Sequence, residues 1–166
     1  MLPIITKGSP SYKILRNKAI PFPFINYNRS KIKELLSEMR ATMKKAQGIG
    51  LAANQVGYDF SLFIAQIPGR VGDPKFYAIF NPKIIAHSNN KVSMEEGCLS
   101  VPMTYGSINR FESITLQGLD LNQKVVKIKA WGLLARVFQH EVDHLNGKLF
   151  IDNASNIHIL EIEKTS

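Results

Sequence analysis

The chain predicts an α+β fold in which small mixed or antiparallel sheets pack around one central, metal-binding helix. Three observations carry this reading. Two segments have apolar residues at helical spacing, and four shorter ones are apolar or alternate as strands do. The second helix also contains His140-Glu141-Val142-Asp143-His144. Helices and strands that do not alternate regularly favour separate sheets packed on a helix over a doubly wound sheet.

The elements follow in order. Residues 9–24 read as a loop, because Pro10, Pro21 and Pro23 interrupt any regular run. Ser30 is the expected cap of a helix over 30–46, with Ile32, Leu35, Leu36, Met39 and Met43 on one face. Gly48-Ile49-Gly50 ends it. Residues 62–67 and 78–80 read as short buried strands, separated by Pro-Gly-Arg-Val-Gly-Asp-Pro. Residues 113–121 and 124–130 alternate as strands, with a turn at Leu121-Asn122-Gln123. The second helix spans 133–146, closed by Gly147 as a left-handed cap. Residues 157–162 are apolar enough to dock, but their period does not choose between strand and helix.

Composition narrows the function classes. The 166 residues are 45% hydrophobic and 20% charged, which excludes a disordered, collagen-like or repeat chain. At this length about 68–70% of the unfolded surface can be buried, so residues 1–166 read as one domain. No apolar run approaches the roughly 20 residues that span a bilayer, and Met1 to Ile5 is too short for a signal-peptide core. Cys98 is the single cysteine. It cannot form an internal disulfide, which points to a reducing compartment and to a free thiol or a ligand. The net charge of +8 comes from scattered lysines and arginines, read first as a solvated surface and second as a footprint for a polyanion such as RNA. No aromatic-rich base-reading stretch is present, and specific DNA binding is not expected.

The chemistry concentrates on the second helix. At about 100° per residue, His144 falls about 40° from His140, between Leu133 and Val137 on an inward apolar stripe. Two imidazoles one turn apart grip one metal ion, and the adjacent Glu141 can take a proton from water. A third ligand sets the subclass. Position 150, where one peptidase class has a third histidine, is Phe150. Glu161 and Glu163 lie in a tail too short for a helical subdomain. Cys98 is the remaining candidate, within Glu95-Glu96-Gly97-Cys98-Leu99-Ser100. Its glycine permits close backbone approach and its acids suit a cation. His87 and His158 stand alone and read as packing or surface residues.

Gly48-Ile49-Gly50-Leu51-Ala52-Ala53 fits a dinucleotide-binding pattern, but it follows a helix rather than a strand, and Asp73 is a poor ribose partner. That reading is set aside. Polar Gln55, beside these small residues, is the more useful signal.

Three ordered segments resemble peptide deformylase: Gly48 to Gln55, Glu96-Gly97-Cys98-Leu99-Ser100, and Gln139 to His144. Pro10, Leu15-Arg16, Asn81-Pro82 and Val101-Pro102 extend the likeness across nearly the whole chain. The resemblance implies a hydrolase that releases formate from the N-formyl-methionine of newly made proteins. It implies one divalent metal on Cys98, His140 and His144, Fe(II) in the family, with Zn, Ni or Co able to replace it. Glu141 is implied as general base, and Gln55 and the Leu99 N–H as oxyanion donors. Ile49, Met94, Leu133 and Val137 are implied to form the methionine pocket, with Gly50 pairing its backbone to the peptide. Glu96 and Arg110 are implied to be a structural pair bracing the cysteine segment. A nascent-chain substrate implies proximity to the ribosome, in a bacterial cytoplasm or an organelle. Asn153 and Gln123 depart from the family pattern, which more often has arginine and glycine there. A zinc endopeptidase built on the same helix motif, and a basic RNA-binding domain with a structural metal, are the alternatives.

Overall fold

The structure, a computed structural model, describes residues 1–68 and 74–160. Asp73, Glu161, Glu163 and most of the Pro-Gly-rich loop lie outside the described residues.

The first helix, α1 (Arg29–Lys45), starts two residues earlier than Ser30 suggests. Asn28 is its cap: the backbone there is extended, and its side-chain oxygen accepts from the Lys31 N–H at 2.9 Å. Ile32, Leu35, Met39 and Met43 are buried against Phe22, Phe60, Leu62 and Phe80. The segment at 9–24 is not wholly irregular. Tyr12–Arg16 forms a 3₁₀ turn that buries Leu15 completely.

Five strands build the larger sheet: β1 (Gly50–Ala52), β2 (Leu62–Ile67), β3 (Lys75–His87), β6 (Ser113–Leu119) and β7 (Val125–Trp131), in the order β1-β2-β3-β6-β7. Three more build the smaller one: β4 (Lys91–Cys98), β5 (Val101–Phe111) and β8 (Ser155–Ile159), in the order β4-β5-β8. Every pairing between these strands is antiparallel. Strand β3 is far longer than the apolar run 78–80 because Asn81-Pro82 is a bulge rather than a stop. Asn81 takes a φ of 50° while its side-chain oxygen accepts from the Phe22 N–H at 2.8 Å. Strand β8 takes in residues 157–159 of the tail, whose residues 161–162 lie outside the described residues. Gln123, at a φ of 61°, holds the turn position that glycine would fill without strain.

Helix α2 (Gly132–Leu145) packs against β1, β2 and β7 of the larger sheet and against β5 of the smaller one. Its Ala135, Phe138 and Leu145 share a core with Phe63, Ala65, Ile114 and Leu116. Phe150, at the rejected third-histidine position, is buried with Val101, Ile108 and Leu149. Gly147 has a φ of 72°, and a Cβ there would stand 2.5 Å from the Arg16 carbonyl oxygen. Gly147→Ala is therefore expected to destabilise the fold by about 2 kcal/mol, measured by urea unfolding. An unchanged midpoint would mean that the segment at Arg16 moves aside freely.

Candidate metal centre

The helical repeat places His140 and His144 on one face of α2, with their Nε2 atoms 3.2 Å apart. Cys98 ends β4, the strand that runs beside them, and its Sγ is 3.2 Å from His144 Nε2. The three donor atoms all lie within 4.8 Å of one another. Donors of a tetrahedral zinc-like site, at about 2.0–2.3 Å from the ion, stand about 3.3–3.6 Å apart. One thiolate and two imidazoles at this spacing fit a single borderline-soft divalent cation.

The orientation of these side chains is set by hydrogen bonds from the chain itself. Glu96 Oε2 accepts from His140 Nδ1 at 2.9 Å, which turns the opposite ring nitrogen, Nε2, toward Cys98 and His144. The same carboxylate takes two bonds from Arg110, Nε to Oε1 at 2.6 Å and Nη2 to Oε2 at 2.9 Å. Arg136 Nη1 gives Oε1 its second bond, the carboxylate's fourth, at 2.7 Å, and its Nη2 donates to the Val92 carbonyl at 2.6 Å. Arg110 reaches on to Asp143 at 2.8 Å. Asn54 donates to the His144 carbonyl at 2.6 Å and Gln139 bonds both N–H and carbonyl of Phe111, so α2 is fixed along its length.

The electrostatics favour a cation here. Burial pushes the Glu96 carboxyl up, but bonds from His140 and Arg110 outweigh it and hold the group at about 2. Burial also pushes the Cys98 thiol up, while His144 and His140 draw it well below the usual thiol range. His140 is lowered by burial but raised further by Cys98 and Glu96, to about 10. The negative potential that holds a proton between these groups equally suits a divalent ion. Glu141 lies one residue from His140 and is held up at about 7, chiefly by burial and against the pull of His140 and His144. Its Oε2 is buried without a partner among the described residues. Gly50 makes room for it, because a Cβ on Gly50 would overlap Glu141 Oε1.

A cavity of about 480 Å³ opens over this cluster. Ile49, Gly50, Met94, Leu133 and Val137 all line it, with Gln55, Leu99, Cys98, His140 and Glu141 toward the ligands. Met94 is 46% exposed and so is no core residue. The Gln55 side-chain oxygen accepts from the Ala52 N–H at 2.9 Å, which turns its Nε2 toward Ser100 Oγ at 3.0 Å and Cys98 Sγ at 3.7 Å. His87 stacks on Phe111 at 3.7 Å and His158 pairs with Glu95 at 3.5 Å, away from the ligands.

Sequence reasoning missed Arg136, Asp143, Asn54 and Gln139. Arg136 left a signal: a charge about 40° from His140 on the inward stripe of an otherwise apolar helix face.

The polypeptide deformylase family model matches residues 1–159. This chain belongs to the polypeptide deformylase family. The peptide deformylase of Thermomicrobium roseum is 40% identical over 90% of this chain and 83% of its own. That of Halothermothrix orenii is 40% identical over 94% and 97%. The probable peptide deformylase of synechococcus phage S-SSM7 superimposes with a TM-score of 0.83 at 37% identity, covering 92% of this chain and 99% of its own. A Met-Ala-Ser-bound class I type b peptide deformylase from Acinetobacter baumannii also gives 0.83, at 34% identity over 92% and 98%. This deformylase is thus an enzyme of a metal-dependent hydrolase family that removes the N-formyl group from nascent peptides. Its α+β architecture is that of the solved deformylases. No helix among the described residues is long and apolar enough to cross a membrane.

Proposed function

We propose that the chain acts as one catalytic domain that hydrolyses the formamide of N-formyl-methionyl peptides to formate and a free amine. The observation that carries this reading is the convergence of Cys98, His140 and His144 on one point beside Glu141, in the wall of a cavity. A divalent metal held by Cys98 Sγ, His140 Nε2 and His144 Nε2 supplies Lewis acidity and an activated water, and Fe(II) is the expected ion, with Zn, Ni or Co as substitutes. Glu141 takes a proton from the attacking water and later gives it to the leaving amine as the formyl C–N bond breaks. Its burial matches that duty, since it favours a carboxyl that both accepts and returns a proton near neutral pH.

The Gln55 amide and the Leu99 N–H donate to the oxygen of the formyl group as negative charge develops there. Ile49, Met94, Leu133 and Val137 take the methionine side chain, and the Gly50 backbone pairs with the peptide. Glu96 and Arg110 keep His140 in one tautomer and orientation. The substrate places the enzyme near ribosomes. The bacterial relatives and a chloroplastic one from Solanum lycopersicum support a bacterial cytoplasm or an organelle as its location.

Formate release from an N-formyl-Met tripeptide, by protein prepared without oxygen and loaded with Fe(II), tests the reading. Release is expected. Cleavage of internal peptide bonds with no formate would instead make the chain an endopeptidase. Gln55→Ala is expected to lower kcat by about 10²–10³, or about 2.7–4 kcal/mol of barrier, with a smaller change in KM. An unchanged kcat would remove Gln55 from the oxyanion site.

A further inference from the structure

We propose that the outward face of β7 is a docking surface for single-stranded RNA, with Trp131 as the platform on which a base stacks. In the sheet register Lys127 is opposite Gln117, which is opposite Lys83, so the two lysines share one face. Residues two apart on β7 point the same way, so Lys129 and Trp131 extend this row toward the end of the strand. All four side chains are exposed, Trp131 by 69%. Strands β6 and β7 carry no acidic residue. None of the three lysines is in an ion pair among the described residues. The catalytic site leaves this face unused.

Trp131 borders a second cavity of about 390 Å³, together with Val92, Phe111, Glu112 and Ser113. Lys91 Nζ stands 4.8 Å from the Phe111 ring centre. The polyanion's charge is met along the lysine row, whereas the cavity has aromatic walls and a carboxylate, Glu112, that repels phosphate. The arrangement suits a chain whose phosphates follow the lysines and whose uncharged base turns into the cavity. Single-stranded RNA has that form, since its bases are free to splay and stack on aromatic rings. A duplex hides those base faces. An anionic membrane is served less well, because the exposed apolar residues of β7, Val125 and Trp131, stand at opposite ends of the strand.

The second cavity shares Met94 and Arg136 with the catalytic one. RNA on this face would therefore lie beside the entrance used by the formylated chain. The inference is independent of the catalytic reading, because none of the lysines touches the metal centre.

Trp131 is the only tryptophan, so its fluorescence reports binding directly. The metal-loaded full chain is titrated with a twelve-residue oligouridylate at 50–200 mM salt, following tryptophan emission and the anisotropy of a labelled strand. Saturable quenching is expected, with a log–log salt slope of about −2 for three phosphates. Lys127→Glu with Lys129→Glu should weaken binding at least tenfold while formate release is retained. The matched charge change Lys33→Glu with Lys44→Glu, on α1, should alter it less than threefold. Trp131→Ala should cost roughly tenfold. The proposal is overturned by equal losses in the two double variants or by unchanged emission at saturation. It is also overturned if anionic vesicles or polyglutamate bind as tightly as the RNA.

Discussion

Replacing Glu141 with alanine is expected to leave the metal bound and to cut formate release by about 10²–10⁴. The ligands do not depend on this side chain: His140 is oriented by Glu96, and α2 is anchored through Asn54 and Gln139. Nor should stability fall. Glu141 is 3% exposed with one oxygen unpartnered among the described residues, so its removal relieves a buried polar atom. One equivalent of metal, an unchanged or raised Tm and lost turnover together would mark a group acting on the proton. Full turnover in this variant would remove Glu141 from the mechanism.

Cys98→Ala should have the other large effect. Its sulfur is one of three donors, so its loss should weaken metal binding by more than the 10–100-fold that follows loss of an outer hydrogen-bond partner. Metal content after dialysis against a mild chelator is the direct reading, with near-zero occupancy expected. A zinc endopeptidase relying on the two histidines and another carboxylate would be indifferent to the change. Retention of metal and activity would therefore point to a different third ligand.

How much of this was legible depended on what each element buries. Helix α2 was readable because Leu133, Val137, His140 and His144 follow one helical stripe, and β6 because Ile114 and Leu116 alternate with Ser113, Thr115 and Gln117. The β4–β5 hairpin was not. The buried residue of β4 is Glu96, and one of the buried residues of β5 is Arg110, so its inward face carries charge where periodicity looks for apolar groups. Pro102, Gly106 and the adjacent Glu95 and Glu96 further disguise both strands as loop. That Cys98, His140 and His144 come together was readable through ordered motifs and a family resemblance, whereas Arg136 was invisible as a partner because its contacts are 28 to 44 residues away in sequence. Asn28 displaced Ser30 as the cap because capping depends on which residue is extended, and two polar candidates stood two positions apart.

Glu96 has all four acceptor positions filled by partners from β5 and α2. This has a bearing on how the enzyme matures. The orientation of the His140 ring and the placement of the hairpin against the helix are held by hydrogen bonds within the chain, so the shape of the site does not require an ion to brace it. Binding of the proposed metal would then be insertion into a prearranged socket, with proton release from His140 as its chemical step, rather than folding induced by the ion. A site braced in this way is expected to give up or exchange its ion with the far-UV circular dichroism unchanged.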